Sequence, residues 1–234
     1  ARRSKLVALL SAAILGSAAF APAAQTEDRI AVEIPSSEDF LEPKERSRAD
    51  RFHRLFTTRT RRVMVTKWVG ILTWQHPFDL WITQEIMTEV KPDVIVEAGT
   101  FRGGSAIIWA TMLRHINPEG SVITIDIEDK RVPRAKQMPI SREKVKFLLG
   151  SSTAPEIVAE VKKRTKGKKV LLILDSLHTR DHVLDELRAY WDMVEVGDYI
   201  IVQDSAINGH PVAPWWGPGP WEAVRDFLAE NDHF

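Results

Sequence analysis

Nine residues of this chain, 97 to 105, carry an acid, three glycines and a hydroxyl: Glu97, Gly99, Gly103, Gly104 and Ser105. They lie in VIVEAGTFRGGSAIIWA (residues 94–110), where an apolar β-branched run breaks at a glycine and resumes with helical spacing. A glycine turn between strand and helix lets a ligand approach the backbone closely. The helix start offers N–H groups and a positive dipole end to an anion, and Ser105 can help cap it. Glu97, at the strand's carboxyl end, supplies an acceptor for an amine or hydroxyl. This is the chemistry of a cofactor cradle. Asp126 lies 22 residues beyond Gly104, where a carboxylate commonly holds ribose hydroxyls, although alone it also reads as a helix cap or a surface charge. The nicotinamide fingerprint Gly-x-Gly-x-x-Gly is not matched, because three residues separate Gly99 from Gly103. A nucleoside with a short charged tail and no pyrophosphate fits this spacing, and S-adenosylmethionine is the candidate.

A second constellation is acidic. Asp175 and the pair Gln203-Asp204 end two later apolar runs. Magnesium prefers oxygen ligands and keeps several waters, so a few such groups at neighbouring strand ends suffice. The ion would orient a substrate hydroxyl and lower its pKa. His178 and His182 are four apart and would share a helix face near that site. They resemble half a zinc motif, but no third ligand is evident. His178 is either a general base toward the acceptor or a residue at a helix start. The stretch NGHPVAPWWGPGPW (residues 208–221) is a stiff loop with three tryptophans that would overhang the cofactor mouth. Such rings serve as platforms for flat ligands and sugars, or plug a helix end. Trp68, Trp74 and Trp81 likewise either line an acceptor pocket or pack.

The elements that position these residues alternate cleanly. Strands are predicted around 94–96, 121–127, 145–150, 169–176 and 198–204. Helices are predicted within 77–91, with Phe78, Ile82, Ile86 and Val90 on one face, and then after Gly104, over 155–166, within 179–194 and over 221–230. The repetition implies an α/β fold: a doubly wound, mostly parallel sheet with helices on both faces. In such sheets ligands bind beyond the carboxyl ends of the strands, where Glu97, Asp126, Ser151, Asp175 and Asp204 all fall.

Length and composition bound the rest. The 234 residues suit one α/β domain with extra segments at its start, and 44% apolar residues supply a core. Basic and acidic residues balance at 32 each, so nucleic acid is not an expected partner. The absence of cysteine excludes disulfides and thiol chemistry. Arg2, Arg3 and Lys5 precede an apolar run with small residues at its end, so residues 1–24 read as a signal peptide or membrane anchor. The protein would then be exported, or tethered to a membrane and cytoplasmic-facing if the leader is uncleaved. Residues 25–62 are a polar linker or extension, and 63–234 form the α/β domain.

The segments PFDLWITQEI, KPDVIVEAGTFRGGSA, VITIDIED, LGSS, ILDSLHTRDHVLDELRAYWDMVEVGDYIIVQDSAINGHPV and GPGPWEAVRDFLAEN resemble the cephalosporin hydroxylase / rhamnosyl O-methyltransferase family. The resemblance covers about residues 74–234 and implies the Rossmann-like class I S-adenosylmethionine-dependent methyltransferase fold. It implies that Glu97, Gly99 and Ser105 hold the cofactor's methionine part, with Gly103 and Gly104 in the same cradle. Asp126 would hold the ribose, and Ser151 and Ser152 would lie near the adenine. It also implies an acid where Leu177 stands and Glu-Asp where this chain has Gln203-Asp204, so a magnesium site at Asp175, Gln203 and Asp204 is depleted. The closing antiparallel strands of that fold would be missing. Three functions follow as expectations. The first is methyl transfer to a hydroxyl of a small-molecule acceptor of sugar or secondary-metabolite type, with Asp175 and His178 catalytic. The second is a hydroxylase-like tailoring role needing a redox partner, and the third an exported nucleoside-binding protein that has lost its chemistry. Lipid or antibiotic biosynthesis is the setting the resemblance suggests, and a homo-oligomer is among the assemblies expected.

Overall fold

The structure, a computed structural model, describes residues 5–8, 43–59 and 63–234. Every strand predicted for the sheet forms: β4 (Val94–Ala98), β5 (Ser121–Asp126), β6 (Val145–Leu149), β7 (Val170–Leu174) and β8 (Tyr199–Val202). With β1 (Lys5–Ala8) they make a six-stranded sheet of order β1-β8-β7-β4-β5-β6. Each neighbouring pair is parallel, with Val96 of β4 facing Ile123 on one side and Leu172 on the other. The order reverses beside β4, which is the switch point where a doubly wound sheet opens a crevice. That crevice lies beyond Ala98, at the glycine turn.

Both faces of the sheet are covered, which explains why β7 and the Val94–Val96 part of β4 read as apolar runs rather than alternating ones. Side chains of successive residues still point to opposite faces. On one face Val94, Val96 and Ala98 pack with Val161 of α6 (Pro155–Thr165), Leu187 of α7 (Arg180–Tyr190) and Phe227 of α8 (Pro220–Glu230). On the other, Ile95 packs with Ile86 of α2 (Pro77–Val90) and with Ile107, Trp109 and Leu113 of α3 (Gly104–Ile116). Burying each such side chain contributes on the order of 1.5–3 kcal/mol, so the two cores fix where the strand ends lie.

The α2 face differs from the predicted one. Its buried residues are Asp79, Thr83, Ile86, Met87 and Val90, whereas Phe78 is exposed. Residues spaced strictly by four drift about 40° per step around a helix, so Phe78 leaves the face that Ile86 and Val90 occupy. The helix start is capped: His76 Nδ1 accepts from the Phe78 N–H at 3.3 Å, and Pro77 occupies the first helical position. Short helices α4 (Pro133–Gln137) and α5 (Pro139–Lys144) and the hairpin β2 (Lys67–Trp68)–β3 (Ile71–Leu72) have too few residues to show periodicity in sequence.

Part of the segment predicted as a polar linker is helix α1 (Pro43–Arg54), whose buried His53 lies edge-on to His76. Four residues of the leader-like run, Lys5–Ala8, extend the sheet along β8; the rest of that run lies outside the described residues. Among the described residues no helix is long and apolar enough to cross a membrane, and no antiparallel strand joins the main sheet.

Candidate functional site

Gly99 turns the chain out of β4 with a φ of +100°, and a Cβ there would lie 1.9 Å from the Asp175 carbonyl oxygen. Only glycine lets the ends of β4 and β7 meet this closely. The same contact brings the predicted cradle and the predicted acidic group side by side. Gly103, at φ +83°, is the N-cap of α3, and no side chain caps that helix. Ser105 does not cap it as predicted. It sits in the first turn, nearly buried, and its hydroxyl bonds Glu97. Gly104 also differs in its reason: a Cβ would meet Thr73 Cγ2 at 2.3 Å and the Leu72 carbonyl oxygen at 2.8 Å. The space above Gly104 thus holds the end of β3 and Thr73 rather than a ligand.

Glu97 is fully buried. Its Oε1 accepts from Trp109 Nε1 at 2.6 Å and its Oε2 from Thr124 Oγ1 at 2.5 Å, while Thr124 and Thr100 share a 2.7 Å hydroxyl contact. Burial pushes the Glu97 carboxyl up to about 7 against the donors that hold it down. Glu97 therefore braces the cradle from behind. It is not the open acceptor that the sequence predicts.

Asp126 ends β5 beside the turn and remains partly exposed. Its Oδ2 accepts from the N–H groups of Phe101 at 2.9 Å and Thr100 at 3.2 Å, and its Oδ1 from Glu128 N–H at 3.2 Å. One carboxylate thus fixes the turn and keeps one lone pair, on Oδ1, free of these bonds. Ile127, next to it, is 74% exposed although apolar. Trp74 packs at a tilt of 37° against Phe101 of the turn with ring centroids 4.6 Å apart, whereas Trp81 is largely exposed and Trp68 packs on the core.

The acidic group assembles with a different third member. Ligand-capable atoms of Asp175, His178 and Asp204 lie within 4.8 Å of one another, with His178 Nε2 3.1 Å from Asp204 Oδ2. Gln203, the predicted third ligand, is buried beside Asp204, and its Nε2 has no hydrogen-bond partner among the described residues. Asp175 Oδ2 accepts from Gln75 Nε2 at 2.9 Å, a contact across 100 residues that no local pattern announces. Burial, then the nearby Asp204 and Glu97 charges, push the Asp175 carboxyl well above its ordinary range. Leu177 is exposed beside them. Trp216 Nε1 donates to the His178 carbonyl oxygen at 2.9 Å, so the tryptophan loop overhangs this group. The loop is held by Glu222, which accepts from Asn208 and from Gly219 N–H and contacts His210.

The two histidines part company. His178 faces Asp204, while His182 Nε2 lies 3.3 Å from both Ser152 Oγ and Glu186 Oε1. Ser152 is buried and donates to Glu186; Ser151 is partly exposed and shares a 3.0 Å contact with Thr153. The predicted residues around the crevice thus sort into a cradle turn, a carboxylate at its rim and an acid–imidazole group. Glu97, Ser105 and Ser152 stand behind them.

The family model described as Rhamnosyl O-methyltransferase/CmcI matches residues 61–234. The rhamnosyl O-methyltransferase of Mycobacterium tuberculosis (strain ATCC 25618 / H37Rv) is 40% identical over 174 residues, covering 72% of this chain and 69% of the relative. That of Mycobacterium leprae (strain TN) is 36% identical over 175 residues, covering 72% and 74%. Among solved structures, CmcI with Mg and SAM superposes with a TM-score of 0.53 at 20% identity, over 70% of this chain and 66% of that one. The O-methyltransferase TomG from Streptomyces achromogenes in complex with SAM gives 0.51 at 19% identity, over 67% and 68%. These two likenesses bear on the fold and agree with the parallel order seen here. The chain spans about two thirds of the length of the solved relatives it matches. With its class I methyltransferase fold, the chain belongs to the rhamnosyl O-methyltransferase/CmcI family.

Proposed function

We propose that the chain is an S-adenosylmethionine-dependent O-methyltransferase acting on a hydroxyl of a small sugar-bearing or secondary-metabolite acceptor. The observation that carries this reading is one convergence: the Gly99–Gly103 turn, Asp126 and the Asp175–His178–Asp204 group meet at the switch point of one parallel sheet. The relatives' naming as rhamnosyl O-methyltransferases supports a sugar hydroxyl as acceptor.

The residues present fit such a cofactor. Asp126 keeps acceptor capacity at its Oδ1 for a ribose hydroxyl, and Ile127 offers an exposed apolar wall beside it. When bound, the cofactor supplies a methyl group on a sulfonium. His178, oriented by Asp204, would accept the proton of the acceptor hydroxyl as that oxygen becomes the nucleophile toward such a group. Asp175 is held by Gln75, and Trp216 holds the His178 backbone, so both groups are positioned before the acceptor arrives.

The donor set of two carboxylates and an imidazole also fits a divalent cation such as magnesium or manganese. A cation would relieve the repulsion that pushes Asp175 up. It would polarise an acceptor hydroxyl from the same position. Incubation with methyl-labelled S-adenosylmethionine and rhamnosyl-bearing acceptors tests the reading: label should appear as an acid-stable ether, and no labelled ether with any hydroxylated acceptor would contradict it.

The basic start and apolar run of residues 1–24 support a second proposal, that a leader exports the protein or holds it at a membrane. Cleavage of that leader would remove β1 from the sheet edge. Fractionation of cells producing the tagged chain tests it, and recovery of uncleaved chain wholly in the cytosol would reject it.

A further inference from the structure

Glu186 of α7 is fully buried, yet its contacts reach the loops behind two different strands of the crevice. Its Oε1 accepts from Ser176 Oγ at 2.6 Å and from Ser152 Oγ. Ser152 belongs to the loop after β6, and Ser176 directly follows Asp175 after β7. Tyr190, one turn further along the same helix, donates its hydroxyl to the Ser152 carbonyl oxygen. Glu186 Oε2 has no hydrogen-bond partner among the described residues.

A serine, a histidine and an acid in contact suggest a nucleophile relay, but the geometry does not make one. Ser152 donates directly to Glu186, and the same His182 nitrogen faces both side chains. A relay needs the base between nucleophile and acid, bonded through its two different nitrogens. Nor is the carboxylate a plain core residue. Burying an acid is costly unless hydrogen bonds compensate, and both hydroxyls that compensate here come from strand-end loops.

We propose that Glu186 is a positioning residue, a clasp that ties the loop after β6 to the loop after β7 and so couples the nucleoside side of the crevice to the Asp175 side. This rests on the reading that the crevice takes a nucleoside cofactor. One acceptor atom serves both serines, so neither loop can shift without straining the bond of the other. Cofactor held against the Ser151–Ser152 loop thereby sets the position of Asp175, although Glu186 touches neither.

Hydrogen exchange and calorimetry on the full chain test the clasp, with S-adenosylhomocysteine as probe. Glu186→Leu should raise amide exchange at residues 150–153 and 175–178 together and weaken probe binding about tenfold, because the loop that meets the probe is no longer held in place. Glu186→Gln keeps a carbonyl acceptor and should rescue most of both effects. Ser152→Ala should loosen the first loop, and Ser176→Ala the second. In the parent, probe binding should protect both loops; in Glu186→Leu it should protect the first only. The clasp is overturned if either serine variant leaves exchange unchanged in its own loop, or if probe still protects 175–178 in Glu186→Leu. Should Glu186→Leu fail to fold, Ser152→Ala carries the comparison, since probe should then protect 150–153 but no longer 175–178. If the parent does not bind the probe, the functional reading fails instead, and exchange without probe still decides whether Glu186 joins the loops.

Discussion

Replacing Glu97 by glutamine should flatten a pH dependence of stability that the parent carries. The side chain is fully buried, and its carboxyl is raised from 4.5 to about 7, first by burial. The folded protein therefore holds this proton to higher pH than the unfolded chain does. The stabilisation is complete below pH 4.5 and is lost as pH rises toward 7. At about 1.4 kcal/mol per pKa unit, the full loss approaches about 3 kcal/mol, with no discount for exposure because none of the group reaches solvent. Glutamine has no proton to lose, keeps a carbonyl for the Trp109 N–H and turns an amide toward Thr124 and Ser105. Asp175 shifts in the same direction in both proteins, so the difference between them isolates Glu97 apart from their mutual repulsion. Urea unfolding of parent and variant at several pH values between about 4.5 and 8 measures it. The stability of the parent relative to Glu97→Gln should fall by roughly 2–3 kcal/mol across that range. Parallel stability curves would refute the claim that a buried, proton-holding acid braces the cradle.

Four other substitutions follow from the geometry. Asp126→Ala should weaken S-adenosylhomocysteine binding by about 1.5–3 kcal/mol, because a ribose acceptor and the anchor of Phe101 N–H disappear together; calorimetry returning the parent's affinity would reject the ribose contact. Gly99→Ala should destabilise by more than about 2 kcal/mol, since its methyl would collide with the Asp175 carbonyl at a positive φ, and a thermal midpoint within a degree of the parent would contradict that packing. Asp204→Asn should lower manganese affinity measured by electron paramagnetic resonance, whereas Leu177→Asp should raise it, since ligand charge sets affinity; if neither moves it, the acid–imidazole group is not a metal site in this chain.

The sheet was legible because β4, β7 and β8 are buried on both faces and leave short, largely apolar runs, and because each is followed by a helix of ordinary length. The residues at the strand ends were legible for the same reason, since a parallel sheet sends all its carboxyl ends to one side. What stayed hidden was which way each side chain turns once there. Glu97 shares the α3-facing side with Ile95, so it meets Trp109 and Thr124 instead of the crevice. Ser152 and Ser176 turn to Glu186, whose place on a helix gives no sign of its reach. The Gln75–Asp175 contact and the seat of Leu72–Thr73 over Gly104 join segments far apart in the chain. Periodicity reports a residue's own element and is silent about such meetings. The buried face of α2 is also hidden from an apolar count because Asp79 and Thr83, which belong to it, are polar.

Titration calorimetry of the full chain with S-adenosylmethionine and S-adenosylhomocysteine tests the central claim most directly. The account predicts one site per chain, binding both ligands, with both affinities lowered together by Asp126→Ala. No heat and no thermal shift with either ligand at millimolar concentration, in a protein shown to be folded, would contradict it.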